Sequence, residues 1–349
     1  MTSPYPLTLK PVLLEKVWGG RRLERLGKPL PPDVRVGESW EVADLAATSA
    51  GGAGGGAVRS VIANGPLAGR TLHDAIALWG ERMIDPRLCG PDGSFPLLAK
   101  FLDAGEHLSV QVHPSPEFAA RRPEAHLKTE SWYVIEAEPQ IGPDGRKQPA
   151  VIYKGVRPGT TREAFRAAVD AGTVVDLLIA EEARPGDCHT LPSGTCHALG
   201  AGVLVAEVQT PSDTTFRVYD WTREYGRAPR DLHLDEALEC IDFGEAPRAM
   251  RAGMSPMGPT LVASTEFYTI DDVRAEGEDY PLGPGCAVIM VLRDGSATLE
   301  CRLGRFEPLR LFCGASVVVP AACAETCVVR RGDRAHVLIA RPTRPVQIA

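Results

Sequence analysis

Along residues 107–117, HLSVQVHPSPE, apolar Leu108, Val110 and Val112 alternate with Ser109, Gln111 and His113. Alternation with a period of two predicts a strand with one buried face. Its other face carries a hydroxyl, an amide and an imidazole, where a strand that meets water usually carries Thr, Lys or Glu. Pro114 then ends the run. Short apolar runs recur along the chain: SWYVIEAE, AVIYKG, GVLVAEVQT and TTFRVYD, then CAVIMVLRDGSATLEC, ASVVVP and AHVLIARP. Thirty prolines and 35 glycines punctuate them, the pattern of a β sandwich or barrel. The RDGS step predicts a hairpin between the two strands that flank it. Helical periodicity is confined to three stretches. One opens on Thr71 as N-cap, one closes on Gly172 as C-cap, and one follows Asp231. The glycine-rich stretch 49–57 predicts a mobile loop.

Apolar periodicity lapses near 242–258, which predicts a linker over 244–258 between a domain of residues 1–243 and a β domain of residues 259–349. The second segment holds a single histidine, His336, so the chemistry is expected in the first. The length of 349 residues suits two domains or one large one. A net charge of -7 without a basic cluster argues against a nucleic-acid or anionic-membrane surface. No apolar run approaches the roughly 20 residues of a membrane helix, and the N-terminus lacks the pattern of a signal peptide. Nine irregularly spaced cysteines suit reduced, buried thiols, so a cytoplasmic protein is expected. Cys323 and Cys327 have the spacing of half a metal site, without a second pair.

Gln111 and His113 lie two residues apart on one strand face and so point into one space. Glu130 opens an apolar strand beside Lys128, and the turn PSGT delivers His197 onto the strand after it. Each has an ordinary alternative: a hydrogen-bonded strand-end histidine, a solvated Lys/Glu edge, a loop histidine. Together they offer two imidazoles, an amide oxygen and a carboxylate, donors that suit a borderline divalent ion such as zinc.

In order, the segments VWGG, VGESWEVAD, FPLLAKFLDAGEHLSVQVHPSPEFA, KTESWYVI, LPSGTCHALGAGVLVAEVQTPSDTTFRVYDW and DLHLDEAL closely resemble the type I mannose-6-phosphate isomerases of the cupin superfamily, in their shorter bacterial form. The likeness covers roughly residues 5–243. It implies a mainly β protein of two jelly-roll (cupin) domains, with a few helices attached to the N-terminal catalytic part. It also implies one zinc ion per chain, held by Gln111, His113, Glu130 and His197. Arg217 is implied as a catalytic arginine with Glu207 nearby, and Ser109, Lys100 and Lys128 as contacts to a sugar-phosphate substrate. The expected reaction interconverts mannose 6-phosphate and fructose 6-phosphate through a cis-enediol, in a monomer or weak homodimer. For Arg217 the structural alternative is an ion pair with Asp213 or Asp220. The proton-transferring base stays open among Glu207, a metal-bound water, Lys128 and Lys100; His107 and His189 are expected to play supporting parts. The rival readings are an isomerase of another sugar or sugar phosphate and a sugar-binding or regulatory cupin.

Overall fold

A computed structural model describes residues 2–49, 53–122, 124–141, 145–244, 249–251, 259–274, 279–292, 296–331 and 336–343. The first part of the chain forms two facing antiparallel sheets. The larger has seven strands in the order Met250–Arg251, Asp187–Leu191, Glu130–Ala137, Val203–Gln209, Leu98–Asp103, Val36–Val42, Val12–Gly20. The smaller has five, in the order Leu178–Glu182, Val151–Val156, His197–Leu199, Val110–Val112, Phe216–Tyr219. Between the sheets, Trp18, Leu102, Leu108, Trp132, Val134, Ile152, Leu199, Val203 and Val205 form one apolar cluster.

The helices start and stop where their caps predict. Thr71 caps Leu72–Trp79 in a reciprocal capping box with Asp74. Thr161 caps Arg162–Ala171, and Gly172, at φ 72°, ends it in the left-handed conformation that favours glycine. Leu234–Cys240 is the third. Among the described residues no helix is long and apolar enough to cross a membrane.

The second part forms another pair of antiparallel sheets. Six strands run in the order Leu7–Thr8, Ser316–Val319, Ala287–Val291, His336–Pro342, Tyr268–Arg274, Pro259–Ser264. Four run in the order Tyr280–Pro281, Cys327–Arg331, Ser296–Cys301, Leu309–Phe312. The hairpin expected at RDGS does not form. Residues 293–295 lie outside the described residues, but Ala287–Val291 pairs with Ser316–Val319 and His336–Pro342, whereas Ser296–Cys301 pairs with Leu309–Phe312 and Cys327–Arg331. The two strands that flank the step lie in different sheets and pair with partners distant in sequence.

The expected linker falls largely outside the described residues, although Met250–Arg251 adds a strand to the seven-stranded sheet. Strands otherwise sort on either side of it, except that the N-terminal Leu7–Thr8 pairs with Ser316–Val319 in the second sandwich. The second sandwich packs on the outer face of the seven-stranded sheet, where Tyr133, Ile135, Ala206 and Val208 join Val262, Tyr268, Ile270, Val288 and Leu338 in one core. The Glu130 strand is therefore buried on both faces from Glu130 to Ile135. Polar contacts cross this interface too. Tyr133 Oη donates to Asp272 at 2.7 Å, His336 Nε2 lies 2.7 Å from the same carboxylate, and Arg274 bonds both Asp272 and Tyr133.

Candidate metal centre and active site

The site follows from strand register. Directly opposed residues share a face, so Lys154, His197, Gln111 and Arg217 form one row across the five-stranded sheet. In the seven-stranded sheet His189, Trp132, Glu207, Lys100 and Trp40 form another. Glu130, two residues before Trp132, shares that face. The turn after Leu191 ties the ligand-bearing segments together: Ser193 Oγ donates to the Pro114 carbonyl at 2.8 Å and accepts from the Lys128 N–H at 3.1 Å.

His113, Glu130 and His197 are fully buried, and their donor atoms lie within 4.8 Å of one another. His113 Nδ1 is 2.9 Å from the Thr214 carbonyl, and His197 Nδ1 is 2.8 Å from the Thr195 carbonyl. A carbonyl only accepts, so each Nδ1 carries the proton and each Nε2 presents a bare lone pair. Those two nitrogens face the Glu130 carboxylate at 3.5 and 3.1 Å. His113 Nε2 and Glu130 Oε1 make no hydrogen bond, and Glu130 Oε2 meets the Lys128 ammonium at 2.7 Å. A buried group of acceptors with no proton between them costs free energy unless a cation joins them. The residues therefore fit a divalent ion. Gln111 completes the ring, with Nε2 3.3 Å from His197 Nε2 and Oε1 accepting from Ser109 Oγ at 3.1 Å. Turning the amide over presents its oxygen to the same point. Among the described residues no other group of His, Cys, Asp or Glu converges in this way, so Cys323 and Cys327 remain without two further ligands.

Charge around these acceptors is arranged by burial and pairing. Burial, reinforced by Lys128, pushes His113 down to about 3, so the ring is neutral and free to ligate. Burial alone would raise Glu130, but Lys128 at 2.7 Å and the His113 and His197 rings together outweigh it and hold the carboxyl well below its ordinary range. Burial likewise opposes the Lys128 charge, yet Glu130 and Glu207 raise its pKa above the ordinary value, so it stays an ammonium. Glu207 differs: burial raises its pKa despite Lys100 at 3.6 Å and Lys128 at 3.7 Å. Its Oε2 accepts from Trp132 Nε1 at 3.1 Å, and its Oε1 has no hydrogen bond.

Lys128, Glu130 and Glu207 wall a cavity of about 280 Å³ together with Lys100, Ser109, Gln111 and Arg217, at the lower edge of the volume of small-molecule sites. Among the described residues Arg217 makes no ion pair with Asp213 or Asp220. Asp213 bonds Ser49 and Asp220 bonds Arg230, whereas Arg217 Nη1 donates to the Asp231 carbonyl and its buried Nε is unpartnered. His107 lies elsewhere, stacked on Trp221 with Nδ1 accepting from the Ala201 N–H. His189 is buried at the far end of its row, with no hydrogen bond to either ring nitrogen. Sequence reasoning assigned no role to Lys16, Glu38 and Trp40, which also line the cavity. Glu38 bonds Lys16 at 3.2 Å, lies 3.6 Å from Lys100 and accepts from Trp40 Nε1 at 2.6 Å. Burial opposes its charge, but Lys100 and Lys16 bring its pKa down to about 2. The available signal was the spacing of Glu38 and Trp40, which places both on one face of VGESWEV.

Comparison with known proteins agrees with this geometry. Residues 7–143 match the family model of the phosphomannose isomerase type I catalytic domain. A probable mannose-6-phosphate isomerase of Bacillus subtilis, GmuF, is 40% identical over 242 residues, 68% of each chain. The mannose-6-phosphate isomerase of Streptococcus mutans is 35% identical over 270 residues, 76% of this chain and 77% of its own. The crystal structure of mannose 6-phosphate isomerase from Bacillus subtilis superposes with a TM-score of 0.77 at 27% identity, covering 96% of this chain and 99% of that one. With relatives of this identity and coverage, an intact set of converging acceptors and the same fold from end to end, the chain belongs to the type I mannose-6-phosphate isomerases.

Proposed function

We propose that the chain interconverts mannose 6-phosphate and fructose 6-phosphate through a cis-enediol, with one zinc ion held by Gln111, His113, Glu130 and His197. The observation that carries this reading is the convergence of buried acceptor atoms of His113, His197 and Glu130 next to a cavity lined by Glu130, Lys100, Lys128, Glu207 and Arg217. When bound, such an ion polarises the carbonyl and hydroxyl oxygens of the open-chain sugar and stabilises negative charge at them.

The rest of the chemistry falls to this chain's side chains. Arg217 stays charged at any working pH and offers an unpartnered Nε to a developing enediolate oxygen. Lys128, kept protonated by Glu130 and Glu207, supplies fixed positive charge and does not serve as the base. Lys100 stands 3.6 Å from both Glu38 and Glu207, outside hydrogen-bond reach, so its donors are free for the phosphate, with Ser109 lining the same cavity. Glu207 is the group we assign to carry the proton between C2 and C1. Burial raises its pKa toward that of a useful general base, and Oε1, though near both lysines, makes no hydrogen bond. The test is a coupled assay of isomerisation on chelated protein and after zinc is restored. Turnover should vanish and return. Turnover that survives metal removal would refute the zinc assignment, and none under any loading would refute the activity.

A further inference from the structure

Two cysteines of the second sandwich meet across a strand pair. Ser296–Cys301 and Cys327–Arg331 run antiparallel with Cys301 directly opposite Cys327. One residue farther along each strand, the Arg302 N–H donates to the Thr326 carbonyl at 2.9 Å. That bond marks Cys301 and Cys327 as a non-hydrogen-bonded pair, the kind in which Cα atoms approach to about 4.5 Å and side chains lie closest. A disulfide spans Cα separations of about 4.4–6.8 Å. The two side chains share the face on which Leu299 and Val329, the next pair along, are buried. Both thiols are free; Cys301 is partly exposed and Cys327 is buried.

The surroundings divide their roles. Burial opposes ionisation of Cys301, but the Thr326 hydroxyl, 3.4 Å from its sulfur, and the N–H groups of Arg305 and Leu303 outweigh burial and bring its pKa below the ordinary thiol value. Burial raises Cys327 to about 12. Cys323, the third thiol nearby, donates to the Pro4 carbonyl at 3.3 Å.

We propose that Cys301 and Cys327 are an oxidative modification site, closed to a cross-strand disulfide by a hydroperoxide. The Cys301 thiolate attacks one peroxide oxygen, the O–O bond breaks, and a sulfenic acid forms as hydroxide (or alkoxide) leaves. The Cys327 sulfur then attacks the sulfenyl sulfur, giving up its proton. The S–S bond forms as the S–O bond breaks, and the departing hydroxide takes that proton as water. Two thiols are oxidised and one peroxide is reduced. No residue of the sugar cavity lies in this sandwich, so the disulfide acts on the sandwich itself. It closes the chain between the two strands and restricts the unfolded ensemble.

The test treats the zinc-loaded full chain with stoichiometric hydrogen peroxide, blocks remaining thiols by alkylation and maps peptides without reduction. The expected product is a Cys301–Cys327 cross-linked peptide, two hydrogens lighter than its parts. It should form before buried Cys188, Cys196 or Cys286 react, raise the melting temperature by a few degrees, and disappear with dithiothreitol. Cys301→Ser, at a partly exposed position, should abolish it. Full alkylation of both thiols, oxidation of Cys301 without loss of free Cys327, or a Cys301–Cys323 link would each overturn the assignment.

Discussion

Lys128→Met isolates the counter-charge of the metal centre. The Lys128 ammonium lies 2.7 Å from Glu130 Oε2 and 3.7 Å from Glu207, and all three groups are buried. At an effective dielectric of about 20, two charges at the closer separation attract by about 6 kcal/mol. Removing one partner of such a buried pair costs a net ~3–5 kcal/mol once desolvation is included. Methionine keeps most of the side-chain volume, so the packing change itself costs under about 1.5 kcal/mol. In chelated protein the full penalty should appear, because Glu130 is left charged and unpaired. In zinc-loaded protein the ion compensates Glu130, and the cost should fall to about 1–2 kcal/mol. The thermodynamic cycle then requires the variant to bind zinc more tightly by the difference, roughly 30- to 150-fold for 2–3 kcal/mol. Urea denaturation of both proteins with chelator and with saturating zinc measures both arms, and a zinc titration closes the cycle. Equal destabilisation in the two states, or weaker zinc binding by the variant, would refute the placement of Lys128 as the stand-in charge.

Two other perturbations address neighbouring groups. Arg217→Met should leave the urea midpoint nearly unchanged and lower kcat by about 10²–10³; steady-state kinetics giving a higher KM at unchanged kcat would instead make Arg217 a ground-state binding group. The Glu38 carboxyl, lowered from 4.5 to about 2, contributes stability that is fully present above pH 4.5 and is lost as pH falls through its folded value. The stability gap between wild type and Glu38→Gln should therefore be constant from pH 7 to 5.5 and narrow by roughly 1 kcal/mol by pH 3.5. A gap that does not change with pH in denaturation measurements would show that Glu38 is not held charged by Lys100 and Lys16.

Where a strand borders the cavity on one side and a core on the other, its pattern could be read directly. Ser109, Gln111 and His113 stand out because polar side chains facing a buried cavity break the usual composition of a solvated face. The Glu130 strand shows no such alternation, since the second sandwich covers its outer face and Ser131, Tyr133 and Ile135 are as buried as Trp132 and Val134. Glu130 was singled out there by its place at the start of an apolar strand beside Lys128, not by alternation. Glu38 went without a role because a lone carboxylate in a short strand looks the same whether it meets water or a lysine brought from the Leu98–Asp103 strand. The RDGS reading failed for a related reason. Turn chemistry is local, whereas the pairing of Ala287–Val291 is settled by Ser316–Val319 and His336–Pro342. The Tyr133–Asp272–His336 contact joins residues on strands from both sandwiches and leaves no pattern in either.

The pairing of Leu7–Thr8 with Ser316–Val319 also bears on the order in which the chain folds as it is made. The Leu7–Thr8 strand has its partner roughly 310 residues behind it, about 15–60 s at ordinary elongation rates of ~5–20 residues per second. The first sandwich can assemble in that interval, with Thr8 and Lys10 already bonded to Ala63 and Val61, while the other edge of Leu7–Thr8 waits for its strand partner. When Ser316–Val319 arrives, that strand closes the edge of the six-stranded sheet and removes a template for pairing with another chain. Losing the first ten residues would thus spare every cavity side chain and still leave a protein prone to joining its neighbours edge to edge.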